Sequence, residues 1–191
     1  MKIAILGWGS LLWDKHETFD QWHDTWRYDG PSLKIEFSRI SKSRLGALTL
    51  VIDPAHGTSI PVAWCLSKRD DPKDAVCDLF CRERMKKDYI GRVFLRNSVM
   101  DQARDHETRN KIVGWAAERS IDVVIWTDLP SNFAEKVGKP FSVPNAIEYL
   151  QSLQPDGKAK AVEYIRQAPQ FVRTSLRTAL QQASWFELLT E

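Results

Sequence analysis

Apolar residues near the start of this chain come as short unbroken runs. Residues 3–6 are continuously apolar and stop at Gly7, which predicts a short buried strand entering a tight loop. Over residues 16–27 the spacing changes, and Phe19, Trp22 and Trp26 recur at helical intervals. That pattern predicts a helix with an aromatic stripe, ended by Asp29-Gly30-Pro31. Strands are predicted over 33–40, 47–52 and 60–66, separated by Gly46 and by the turn-rich Asp53-Pro54-Ala55-His56-Gly57. Their pairing is expected to be antiparallel.

The second half reads differently. Asp70-Asp71-Pro72 supplies a helix start, with acidic residues at the positive end of the dipole and proline in the first turn. This helix is expected to run to about residue 87. A strand over 89–95, a long charged amphipathic helix over 100–119 and a buried strand over 121–126 follow. Beyond them, breakers at Pro140, Pro144, Pro155-Asp156-Gly157 and Pro169 divide a helical region into about four short helices. The expectation is one α+β domain over 1–191, with a β-rich core at 1–126 and a helical part at 127–191.

Composition narrows the classes of function. Lys plus Arg number 27 against 25 Asp plus Glu, a formal charge of +2, which gives no reason to expect a nucleic-acid partner. No apolar run approaches the roughly 18 residues of a membrane span, so a soluble chain without a membrane partner is expected. Three cysteines and an opening strand without a secretory pattern point to a reducing cytoplasm.

Two features carry candidate chemistry. Gly7-Trp8-Gly9-Ser10 directly follows the opening strand, as a dinucleotide fingerprint would, but the third glycine of that fingerprint would fall on Leu12 and no second strand ends on an acidic residue. What remains is a loop whose glycines let backbone N–H groups converge on an anion or carbonyl oxygen; on local sequence alone a plain tight turn closing the strand is the favoured reading. The second feature is Glu83. Val76, Leu79 and Phe80 define an apolar stripe, and Glu83 falls on it seven, four and three residues later. Arg82 and Arg84 project to other faces by helical spacing. A carboxylate so placed would be desolvated towards the range of an acid/base catalyst, or it lies at the stripe's edge in a structural ion pair.

Taken together these residues resemble the gamma-glutamylcyclotransferase-like family, and within it the ChaC-type branch that acts on glutathione. Three segments carry the resemblance: Gly7-Trp8-Gly9-Ser10-Leu11-Leu12-Trp13 after the first strand, Arg82-Glu83-Arg84-Met85 followed by Tyr89, and Pro144-Asn145-Ala146-Ile147-Glu148-Tyr149-Leu150. Ser38-Arg39-Ile40-Ser41-Lys42-Ser43-Arg44 and the strands to residue 66 stand where the family's barrel strands lie. Trp8 replaces the family's usual tyrosine, and the helices over 100–119 and after Pro155 depart from its pattern. The resemblance implies a small mixed β-barrel or sheet with surrounding helices and extra C-terminal helices. It also implies an enzyme that cyclises a γ-glutamyl group to 5-oxoproline and releases an amine, amino acid or dipeptide. Glu83 would be the general acid/base, and Gly7, Trp8, Gly9, Ser10, Leu11 and Tyr89 would bind the substrate. No cofactor or metal is implied. A non-catalytic small-ligand or protein-binding module on the same fold is the alternative.

Other signals read as structural. Cys77 and Cys81, four apart on one predicted helix, are expected to be small buried apolar residues rather than metal ligands, because no further Cys or His follows at finger-like spacing. Nothing local links a cysteine nucleophile to His56 or His106 as base. Most of the eight tryptophans are expected in the core, with Trp8 and Trp13 walling the site. Arg166, Arg173 and Arg177 are expected on a solvated helix face.

Overall fold

The computed structural model describes residues 1–183, 185 and 186. Among them it shows an α+β arrangement of two sheets and seven α-helices. The chain forms two compact units, Met1–Leu33 with Pro61–Leu129, and Lys34–Ile60 with Pro130–Glu191.

The first unit is built on a four-stranded sheet. Its strands are β1 (Ile3–Gly7), β5 (Ala63–Leu66), β6 (Ile90–Phe94) and β7 (Val123–Thr127), in the order β5-β1-β7-β6. The central pair β1 and β7 is parallel, with Ile3 opposite Val123 and Ile5 opposite Ile125, and the outer pairs are antiparallel. A strand buried on both faces should be continuously apolar, and β1 and β7 are.

Alternate residues of these strands serve two helices. Ile3, Ile5, Cys65, Val123 and Ile125 form one cluster with Ala75, Val76 and Leu79 of helix α2 (Pro72–Glu83). On the other face Trp64 meets Trp115 of α3 (His106–Glu118) edge to face, their ring centroids 5.1 Å apart. Both helices start as their sequences require: Asp71 caps the Lys73 N–H at 2.8 Å with Pro72 in the first turn, and Asp105 caps Thr108 at 2.7 Å. Gly91 lies opposite Trp126, and a Cβ there would come within 2.1 Å of the indole, so only glycine admits that buried ring.

The predicted helix over 16–27 is corrected. Only Glu17–Asp20 (α1) is helical; beyond it the chain runs alongside β5, with Arg27 and Trp64 exchanging backbone bonds at 2.7 and 2.8 Å and Asp24 donating to Leu66 at 2.8 Å. Lying along β5, this segment and the sheet edge supply partners for each other's backbone groups. Its aromatic residues divide. Phe19 is buried, Trp26 packs against Gly7, and Trp22 lies 3.4 Å beneath the Arg69 guanidinium.

Two helix boundaries also move. Helix α2 stops at Glu83, because Arg84 turns left-handed with φ of 50°. Helix α3 starts at His106, six residues later than periodicity predicts, since residues 98–102 form a 3-10 turn and an antiparallel bridge from Gln102 to Arg92.

The second unit contains the sheet β3-β2-β4, from β2 (Ser32–Ile40), β3 (Leu48–Ile52) and β4 (Thr58–Pro61), with helices α4 (Phe133–Val137), α5 (Val143–Ser152), α6 (Pro155–Gln167) and α7 (Ser175–Leu180). The single strand expected over 60–66 is two strands, β4 and β5, belonging to different sheets. Strands β2 and β3 pair antiparallel with a register shift between Phe37 and Arg39. Asn132 mimics a strand against Ile40, accepting from its N–H at 2.7 Å and donating to its carbonyl at 3.2 Å. Phe133, Phe141 and Tyr149 form an edge-to-face cluster.

Candidate functional site

The loop at the end of β1 is a single 3-10 turn over Ser10–Leu12, closed by N–H groups of Leu12, Trp13 and Asp14 on the carbonyls of Gly9 and Ser10. The N–H groups of Gly9, Ser10 and Leu11 precede these and take no part in closing the turn. Gly7 is needed for packing, since a Cβ there would lie 3.0 Å from the Trp26 ring and 3.2 Å from Leu12. Trp8 is 3 % exposed and Leu11 is buried, so what Trp8 offers a ligand is backbone rather than an aromatic wall. Gly9, Ser10 and Trp13 are half-buried.

Helix α2 brings its last turn to this loop through Arg82. The Arg82 side chain is 9 % exposed, and its Nη2 donates to the Asp14 carbonyl at 2.7 Å and to the Ser10 carbonyl at 3.4 Å. Its Nη1 lies 3.7 Å from Glu83 Oε1, a charge contact longer than a good hydrogen bond. This corrects the expectation that Arg82 projects away from Glu83. A helical wheel treats side chains as short spokes, whereas a guanidinium on its flexible stem reaches across its own turn to carbonyls that need donors. Glu83 itself is half-buried, with a side chain 20 % exposed. As the final residue of α2 it occupies the negative end of the helix dipole, where an adjacent cation offsets roughly 0.3–1 kcal/mol of repulsion.

The residues drawn together are therefore Ser10, Asp14, Arg82 and Glu83. Asp14 and Arg82 were not singled out by pattern. Tyr89 is half-buried in the 3-10 turn Lys87–Tyr89, and its backbone anchors it, with the N–H donating to Lys86 at 3.0 Å and the carbonyl accepting from Asp128 at 2.7 Å.

Several other expectations are settled by placement. Cys65 is buried in the sheet, but Cys77 and Cys81 are exposed, contrary to the expected apolar burial. Ala75, Val76 and Leu79 take the inner face of α2 and turn positions 77 and 81 outwards. His56 bonds Asp53, with Nδ1 3.2 Å from Oδ1, and His106 is an exposed first residue of α3. Arg177 is not a solvated residue, because its guanidinium donates to the carbonyls of Ala168, Pro169 and Val172 at 2.6 to 3.0 Å and closes that loop.

Among the described residues no group of three or more His, Cys, Asp or Glu is placed to hold a metal ion, and no helix is long and apolar enough to cross a membrane. No family model matches the chain, and neither a curated protein nor a solved structure is significantly similar to it.

Proposed function

We propose that the Gly7–Leu11 loop and the last turn of α2 form the site of a gamma-glutamylcyclotransferase-like enzyme. The observation that carries the reading is the Arg82 guanidinium. It bonds the loop at Ser10 and Asp14 and stands 3.7 Å from Glu83, so a candidate anion-gripping backbone and a candidate acid/base share one locus. A γ-glutamyl compound carries its own nucleophile, and the protein's tasks reduce to holding a bent conformer and moving protons. Glu83 accepts a proton from the α-ammonium. The freed amine attacks the γ-carbonyl, the ring C–N bond forms, and the γ-amide bond breaks. Glu83 returns its proton to the departing nitrogen, and the second proton lost by the ring nitrogen is taken up by the released amine as its ammonium. Backbone N–H groups of Gly9, Ser10 and Leu11 hold the γ-glutamyl group, Trp8 packs beneath the loop, and Tyr89 orients the leaving portion. The cytoplasm, where γ-glutamyl compounds and reduced thiols coexist, suits this activity.

A second reading rests on the same ion pair. A Glu83 held by Arg82 suits a binding module that recognises a small ligand without turning it over. One experiment separates the two: release of 5-oxoproline from glutathione and a panel of γ-glutamyl amino acids and amines, by wild type beside Glu83→Gln. Turnover that the variant loses supports the enzyme. Absence of turnover by folded wild type on every panel member overturns it in favour of binding.

A further inference from the structure

Helix α2 carries a second chemistry on its outer face. Cys77 and Cys81 stand one turn apart, both exposed, while the third cysteine, Cys65, is sealed in the core. At this helical spacing Cβ atoms lie about 5–6 Å apart. A disulfide requires about 3.5–4.5 Å. Direct oxidation would therefore unwind a helix held by its Asp71 cap, by the Arg69 fork on Asp78 at 2.8 and 2.9 Å, and by Arg82. A single soft atom between the sulfurs fits instead, since two metal–sulfur bonds bridge a wider gap than one S–S bond of about 2 Å.

The coordination number follows from what surrounds the pair. Asp78, the acidic residue beside both thiols on α2, is occupied by Arg69, and among the described residues no third Cys, His, Asp or Glu completes a metal-binding group. A cation demanding four ligands is not served. A soft monovalent cation content with two thiolates is.

We propose that Cys77 and Cys81 form a two-thiolate clamp on α2 for a soft monovalent ion of the Cu(I) class. Loading breaks two S–H bonds, forms two metal–sulfur bonds and releases two protons, with no change of oxidation state. The site is independent of the cyclotransferase reading.

Anaerobic titration of the reduced full chain with Cu(I), against the chromophoric chelator bicinchoninate, tests it. The expected result is one ion withdrawn per chain with two protons released. Cys77→Ser and Cys81→Ser should each bind at least about 100-fold more weakly, because linked ligands gain ~10²–10⁴ over separate ones. Circular dichroism checks that both variants fold, and iodoacetamide-blocked wild type repeats the comparison without substitution. Failure to compete with the chelator, unchanged affinity in either variant, or one ion shared by two chains overturns the clamp. So does quantitative loss of two hydrogens on treatment with a small-molecule disulfide while α2 stays helical.

Discussion

The two units each place one glutamate among apolar neighbours, and they treat it in opposite ways. In the second unit Glu36 is fully buried in the middle of β2, where its Oε1 accepts from the Phe37 N–H at 2.8 Å and its Oε2 from the Leu176 N–H at 3.3 Å. In the first, Glu83 is half-buried at the end of α2, with a guanidinium 3.7 Å away. The deeper carboxylate is tied to one backbone donor on its own strand and one at the start of α7, while the shallower one keeps a partly exposed face. What separates the two is that backbone N–H groups bond Glu36, whereas a guanidinium stands beside Glu83.

The largest effect expected of this difference is on turnover. Glu83→Gln should lower 5-oxoproline release by about 100-fold or more while leaving the melting temperature nearly unchanged, as loss of a general acid/base does. Glu36→Gln should leave release intact. The reverse pattern in a coupled assay with parallel thermal melts would transfer the chemistry to the second unit.

Arg82→Met comes next. It removes two charged hydrogen bonds to the loop carbonyls and the cation beside Glu83, and is expected to destabilise by about 1–3 kcal/mol in urea unfolding. Arg82→Lys should recover part of that, since an ammonium reaches one carbonyl but lacks the fork. Equal stability of Met and wild type would show that the strap contributes nothing.

A smaller effect concerns pH. Burial, opposed by bonds from Thr174, Phe37 and Leu176, holds Glu36 above the ordinary glutamate range, and Asp128 is raised chiefly by burial as well. A raised carboxyl binds more protons folded than unfolded. Its contribution is therefore complete below about pH 4, the unfolded value, and is lost as pH rises through the folded one. Melting temperature should fall over that rise in wild type and fall less in Glu36→Gln, the residual slope belonging to Asp128. Asp29 and Glu135 are lowered by their partners, and act in the opposite sense only as pH falls below their unfolded values. Identical slopes in the two proteins would show that Glu36 does not titrate in this range.

The smallest effect is at the end of α2. Arg84→Gly should stabilise by about 0.5–1 kcal/mol, since a left-handed conformation suits glycine, less the extra entropy glycine brings to the unfolded chain. A melting temperature at or below wild type would mean that the Arg84 side chain contributes more than its backbone costs.

Most strands and the start of α2 were legible because local signals agree there. Continuous apolar runs give β1 and β7, and Asp71-Pro72 gives a capped helix. Elsewhere a non-local partner decided the outcome. Residues 21–27 have helical periodicity yet lie along β5, and nothing near Val62 announces that the chain leaves one sheet for another. The loop and Glu83 were singled out by pattern, whereas the contacts of Arg82 with Ser10, Asp14 and Glu83 were not legible because they depend on where its flexible end reaches. Cys77 and Cys81 were misplaced although the register of Ala75, Val76 and Leu79 already turns them outwards.

The parallel pairing of β1 with β7 also sets a clock on the making of this protein. The first strand ends at Gly7 and its central neighbour begins at Val123, 116 positions later (123 − 7). At ~5–20 residues per second, a ribosome needs roughly 6–23 s to supply that partner. Throughout that interval the edge of β1 that β7 later covers lacks its native partner.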